Sequence, residues 1–351
     1  MLCIMSNFDR DPSVREVIER RFADGYIPGY DDDGFKVAGM VSGGGMRIAV
    51  GAGMTAELAH SERLGVFDML GGHSGGGLVM AGIMTGDVEK TRKVFTEALP
   101  ASDFVSPIRA ARGKGPLVSI DTLARILADE LPLDVHSLAR QKQKFLAVTT
   151  RMDDLSPQTI SNRTVGPDEM LDRLMHSVHL PLVAGQPPET ELDGERFTEV
   201  DGGVGNYLTT YDFAVANGAT HVLVMDSAPQ KPWSVDTAGA LVMGKWFERN
   251  GTPDGTNRIV RFATAQARRI RELHASPPAH RDVIYPPPGR LPGGLTTKVA
   301  TLQAGYVAGQ RACSEWLADV PPDTFHAHRQ PSRAITYGRH MLNGFANALV
   351  S

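Results

Sequence analysis

Three glycine-bearing segments carry the side chains best suited to chemistry. The first is Gly72-His73-Ser74-Gly75-Gly76, a G-x-S-x-G set between a strand-like and a helix-like run. A serine on a strand-to-helix elbow is held strained and exposed, and the helix behind it aims its positive end at the hydroxyl. That arrangement suits nucleophilic attack on an acyl carbon. The second segment is Ser42-Gly43-Gly44-Gly45-Met46-Arg47, which ends one strand and opens a helix. Consecutive glycines leave backbone N–H groups accessible, as an oxyanion hole requires. The third is Val200-Asp201-Gly202-Gly203, a carboxylate at a strand end that can serve as a base if the fold brings it to the serine. Taken singly, each is also an ordinary turn.

To converge, these segments must lie on one edge of one sheet. Strands are expected at 36–41, 66–70, 144–150, 196–200 and 221–226. Helices are expected from the glycine loop to about residue 60, then at 78–85, 87–98 and 210–217. Strands alternating with helices predict an α/β fold in three layers, α/β/α, around a mainly parallel central sheet. Right-handed crossovers then gather the strand-to-helix turns on one edge. Residues 1–35 read as an N-terminal helical extension, with Asp11 as cap, Pro12 in the first turn, and Val14, Val17, Ile18 and Phe22 on one face. That face is expected to dock on its own domain, with peripheral membrane contact as the alternative. The catalytic domain is placed at 36–317 and a C-terminal tail at 318–351. Within the domain, 233–257 is hard to read, 275–294 is a Pro/Gly-rich surface loop around a short strand at 283–285, and a helix at 297–317 packs back on the core.

Composition narrows the function classes. The 351 residues are 42% hydrophobic and 22% charged, ordinary values for a globular chain. A formal net charge of −4 with scattered Lys and Arg argues against a nucleic-acid partner, and the run Arg268, Arg269, Arg271 reads as a solvated helix face. Cys3 and Cys313 make neither a disulfide framework nor a zinc site, which fits a reducing, cytoplasmic setting. The first residues lack a secretory pattern, and no run approaches the roughly 20 apolar residues of a membrane span. No cofactor is expected. Ile48 stands where a dinucleotide loop needs its third glycine, and no phosphate-binding loop occurs. Asp153 and Asp154 lack a further ligand at metal spacing, so no metal is expected either.

Together, Gly43-Gly44-Gly45-Met46-Arg47, Gly72-His73-Ser74-Gly75-Gly76 and Asp201-Gly202-Gly203 resemble the three signature motifs of the patatin-like phospholipases, in that family's order. The intervening text agrees at 177–182, at Asp193-Gly194 and at 218–224, so the likeness spans about 36–309. It implies the family fold and a serine acyl-hydrolase acting on lipid or other acyl esters. Ser74 would be the nucleophile, Asp201 the base, and the Gly43–Gly45 loop the oxyanion hole, with Gly44 and Gly45 as donors. Arg47, Gly72, Gly76, Gly202 and Gly203 support the motifs. Two departures stand out: the family usually has glycine where Ile48 stands and alanine where Gly75 stands. Ile48 could alter helix packing, narrow the acyl pocket or distort the donor loop.

Alternatives remain at this stage. A conventional triad would run Ser74, Asp226, His274 in chain order. His73 inside the elbow and His176 and His179 beside the proline segment are lesser candidates, while His221 reads as a satisfied strand residue. Arg47 is either a surface arginine or one that fixes the donor loop and attracts an anionic group. Acyl transfer or thioester cleavage would use the same acyl-enzyme. A non-catalytic acyl-binding protein is allowed by Ile48.

Overall fold

The computed structural model describes residues 11–192, 194–204, 209–229, 237–289 and 291–318; Cys3, Asp193 and the tail from 319 onward lie outside them. The strands are β1 (Val37–Val41), β2 (Met69–Gly72), β3 (Lys144–Arg151), β4 (Pro157–Ile160), β5 (Glu189–Leu192), β6 (Glu195–Asp201), β7 (His221–Met225) and β8 (Arg281–Ile284). They form one sheet in the order β5-β6-β3-β2-β1-β7-β8, with β4 also paired to β3. The run from β3 to β8 is parallel, whereas β4 and β6 pair antiparallel with β3, and β5 with β6. The sheet is therefore mostly parallel, as expected. The Asp201 strand, however, runs against its neighbour.

Helices flank the sheet: α1 (Val14–Asp24), α2 (Ala49–His60), α3 (Gly75–Met84), α4 (Val88–Lys93), α5 (Leu99–Ala101), α6 (Pro107–Ala111) and α7 (Ile120–Arg125) come first. Then follow α8 (Val135–Arg140), α9 (Pro167–His176), α10 (Thr210–Ala216), α11 (Thr237–Arg249), α12 (Gly255–Ala275) and α13 (Val299–Ala318). Alternation along the strands sorts the core. Val37, Val41, Leu70, Phe145, Leu223 and Met225 join α2, α3 and α13 on one face. Ala38, Met40, Met69, Leu146, Val222 and Val224 meet Tyr211, Phe213 and Ala214 of α10 on the other. The hairpin of α11 and α12 closes a smaller cluster over the ends of β3 and β6, built on Met152, Val200, Phe247 and Ile259. No helix among the described residues is long and apolar enough to cross a membrane.

The N-terminal helix differs from expectation at its start. Its cap is Ser13, whose hydroxyl accepts from the Glu16 amide while the Glu16 carboxylate accepts from the Ser13 amide. That reciprocal box outcompetes Asp11, which lacks an acidic partner three residues on. Val14, Val17 and Ile18 are buried against β1, β7 and β8, so this face is occupied by the protein itself. Arg21 on the same helix is 1% exposed and donates to both Asp33 and Asp68 while stacking on Tyr26. The acidic turn before β1 is thus a counter-charge for a buried arginine.

Two further boundaries moved. The strand expected at 66–70 is a 3-10 turn at Arg63–Val66 followed by β2, whose register places Met69 between Ala38 and Lys144. The Pro/Gly-rich stretch is not merely superficial: Gly294 accepts from the Met46 amide at 2.8 Å, and Pro292 sits against Gly305 of α13.

Candidate active site

β1 and β2 lie side by side and both end at the same edge, which delivers the donor loop and the serine elbow together. Ser74 has φ 53° and ψ −139°, a backbone conformation costing about 1–3 kcal/mol for a residue with a side chain. The Val41 carbonyl lies hard against Gly72 and Gly76, and the Val148 carbonyl against Gly202, so a side chain fits at none of the three. Ser74 caps α3, whose turn is closed by Gly76 N–H to His73 O and Gly77 N–H to Ser74 O, both at 3.0 Å.

β6 brings the carboxylate in from the opposite direction. Its last residue, Asp201, pairs with Thr149 of β3, three residues beyond Leu146, where β2 gives out. Asp201 is 3% exposed and lines the same cavity as Ser74, whose hydroxyl interacts with its carboxylate, while its Oδ1 accepts from the Gly203 amide at 2.7 Å. Burial raises its pKa above the ordinary carboxylate range, opposed by the neighbouring Ser74 hydroxyl and the Gly203 amide. The structure thus brings together Ser74, Asp201 and the glycine loop.

His73 has a role that the sequence did not disclose. Its Nε2 accepts from the Gly43 amide at 3.1 Å, and its Nδ1 lies 3.1 Å from Thr210 Oγ1. The acceptor role at Nε2 requires the proton on Nδ1, donated to Thr210. Burial lowers the His73 pKa, against the fields of Asp201 and Asp226, and the ring is neutral. His73 therefore clamps the donor loop to the elbow. It also removes Gly43 from the set of free donors. The amides of Gly44, Gly45 and Gly75 donate to no described residue and remain available. A brace from β7 holds the loop from the far side: Ser42 Oγ donates to Asp226, and Ser227 Oγ to the Gly43 carbonyl. Arg47 is half-buried, with its Nε beside Gly44 and no hydrogen-bond partner for that nitrogen among the described residues.

The other histidines lie elsewhere. His274 bonds Tyr285 while Asp226 bonds Ser42, so the chain-order triad does not assemble. His176 lies in a buried cluster with Thr190 and Glu199, and His221 bonds the Pro12 carbonyl. His179 contributes its carbonyl to the Asp201 amide. Asp153 pairs with Arg151, and Asp154 accepts from the Ser156 amide. Arg268 pairs with Glu272 and Arg269 with Asp212 on α12. Cys313 is buried, and burial pushes its thiol up to about 12.

The two departures from the family pattern touch each other. Ile48 is 1% exposed, and a Cβ placed on Gly75 would lie 3.3 Å from its Cβ, Cγ1 and Cγ2. The side chain at 48 fills the space that a Cβ at 75 would enter, so Ile48 packs against the elbow and also lines the cavity beside it. Gly75→Ala should therefore lower stability more in the native background than in Ile48→Ala. A double-mutant cycle read by chemical denaturation should give a coupling of about 0.5–3 kcal/mol. Additive effects would show that the two positions do not exchange volume.

Ser74 and Asp201 open on a cavity of about 990 Å³. Phe95, Leu99, Phe104, Val118 and Leu123 line it from one stretch of chain, and Val242, Met243, Ile259 and Phe262 from α11 and α12. Among the described lining side chains only His73, Ser74, Asp201 and Gln266 are polar. Such a wall accepts an aliphatic chain, with polar side chains at His73, Ser74 and Asp201 and at Gln266 of α12.

Residues 40–213 match the family described as patatin-like phospholipase. The fold is also similar to solved structures. VipD from Legionella pneumophila aligns at 12% identity and a TM-score of 0.43, over 81% of this chain and 67% of that one. Human GIVD cytosolic phospholipase A2, solved with a methyl gamma-linolenyl fluorophosphonate inhibitor and terbium chloride, aligns at 14% and 0.46, over 87% and 62%. Full-length ExoU of Pseudomonas aeruginosa, solved with full-length SpcU, aligns at 14% and 0.28, over 70% and 53%. The chain thus spans about half to two thirds of the length of these neighbours. No curated protein matches the sequence.

Proposed function

From the premise that residues 40–213 place this chain in the patatin-like phospholipase family, we propose that it is a lipid acyl hydrolase working through a Ser74–Asp201 dyad. The observation that carries this proposal is the placing of an elbow serine beside a buried aspartate on the wall of a largely apolar cavity.

In the proposed cycle Ser74 Oγ attacks the ester carbonyl carbon and its proton passes to Asp201. The negative charge formed on the carbonyl oxygen is held by the Gly44 and Gly45 amides, each such donor contributing about 2.7–4 kcal/mol. Arg47 and the N-terminus of α3 add positive potential on that side. Collapse breaks the ester C–O bond, and the departing alkoxide takes the proton from Asp201. Water then attacks the acyl-enzyme and gives its proton to Asp201; the acyl–Oγ bond breaks as Ser74 Oγ takes that proton back, leaving a free acid, the serine hydroxyl and the Asp201 carboxylate. His73 stays neutral and outside the proton path, holding the loop in register.

Acyl transfer and thioester cleavage differ only in the acceptor or the leaving atom. A cytoplasmic setting belongs to the proposal as an expectation from cysteine usage. The test is release of free fatty acid from a long-chain ester by the full chain, with added alcohol as competing acceptor. Hydrolysis predicts free acid at the expense of ester product. Acyl ester formed with the alcohol in place of free acid would replace hydrolysis by transfer.

A further inference from the structure

The mouth of the cavity presents apolar side chains to solvent. Leu180, Leu182, Val242 and Leu295 line the cavity and are nevertheless 40%, 46%, 57% and 50% exposed. Leu182 is held at φ 71°, a left-handed conformation that a bulky residue rarely adopts. On α11 the exposure follows a stripe. Ala240, Gly244 and Phe247 are buried, while Ala238, Leu241, Val242, Lys245, Glu248 and Arg249 face outward at helical spacing, Glu248 accepting from the Thr256 amide. The outward face is apolar in its first half, and its second half carries Lys245 and Arg249 with Glu248 between them, a net positive charge. Neither Lys245 nor Arg249 forms an ion pair with a described residue.

An apolar stripe followed by cations is how a helix lies in a membrane interface, its aliphatic side chains in the acyl boundary and its ammonium or guanidinium groups among headgroup phosphates. We propose that this face docks on an anionic phospholipid surface, with Leu241 and Val242 entering the acyl boundary and Lys245 and Arg249 on headgroup phosphates. The choice of a lipid surface rests on the acyl-hydrolase reading and on continuity. The leucines and valine at the mouth also form the cavity wall, so a chain could pass from the leaflet to Ser74 without crossing water.

The test uses the full chain carrying Ser74→Ala, so that vesicles are not consumed, and co-sedimentation with phosphatidylcholine vesicles containing equimolar phosphatidylglycerol or none. The parent should sediment with the anionic vesicles. Lys245→Glu with Arg249→Glu should weaken this at least 25-fold, on about fivefold for each cation lost, and Leu241→Ser should weaken it as well. With Ser74 intact, the same variants should hydrolyse a soluble short-chain nitrophenyl ester at the parental rate. A parent that sediments with neither vesicle, or a charge-reversed variant that binds undiminished, would overturn the docking surface and leave the face to a protein partner. Vesicle binding by a chain that hydrolyses no ester would overturn the acyl-hydrolase reading while leaving the surface standing.

Discussion

Asp201→Asn should lower kcat/KM for an acyl ester by about 10²–10⁴, and Ser74→Ala should remove turnover through an acyl-enzyme altogether. The carboxamide keeps the shape of the carboxylate and can still accept from the Gly203 amide through Oδ1, so the fold is preserved. What it cannot do is take the serine proton. The pH profile should carry the signature. Burial raises the Asp201 pKa, and only the ionised form acts as base. kcat/KM should therefore fall with unit slope as pH drops through a value above the ordinary carboxylate range, and Asp201→Asn should abolish that limb. The same shift has a stability consequence. An acid whose folded-state pKa is raised favours the fold when protonated, and that contribution is lost as pH rises through the folded value. At neutral pH, Asp201→Asn should accordingly melt higher than the parent, since it relieves a buried charge that function requires.

The second large effect is at Gly45. Its φ is 56°, and a Cβ there would run into the Gly294 carbonyl, a backbone atom fixed by its own bond from the Met46 amide. Gly45→Ala must displace the donor loop by tilting it away from Gly294. kcat should fall about 10²–10³-fold with little change in KM, because the lost donor acts on the transition state and not on the ground state. Gly86→Ala supplies the control: its φ is 83°, with nothing within 4 Å of the new carbon. It should cost about 1 kcal/mol of stability and leave kcat unchanged. Equal kcat losses from the two would assign the effect to backbone strain alone.

The three glycine segments were legible because their chemistry is local. A serine elbow, a run of free amides and an acid before two glycines are properties of a few consecutive residues. β1 and β7 were legible for a similar reason, as short apolar runs bounded by turns. The direction of β6 was not, since 195–201 reads alike whichever way it runs and only its partner on β3 decides. Nor was the His73 clamp visible, because Gly43 is 30 residues away in the chain and meets the ring only through pairing of β1 with β2. The Ser42–Asp226 brace spans 184 residues and leaves no sequence signal. Ser13 could have been found: a serine with glutamate three residues on is the box that defines a helix start. Ile48 and Gly75 were visible as separate oddities, and only their contact turns them into one exchange of volume.

The central claim is that Ser74 is an activated nucleophile whose proton goes to Asp201. Its most direct measurement is titration of the full chain with an alkyl fluorophosphonate, read by intact mass and by mapping the labelled peptide. One phosphonyl group per chain on Ser74, with loss of fluoride, is expected for the parent. No label is expected in Ser74→Ala, and labelling at least 10²-fold slower in Asp201→Asn. A parent left unlabelled, or an Asp201→Asn chain labelled at the parental rate, would contradict the dyad.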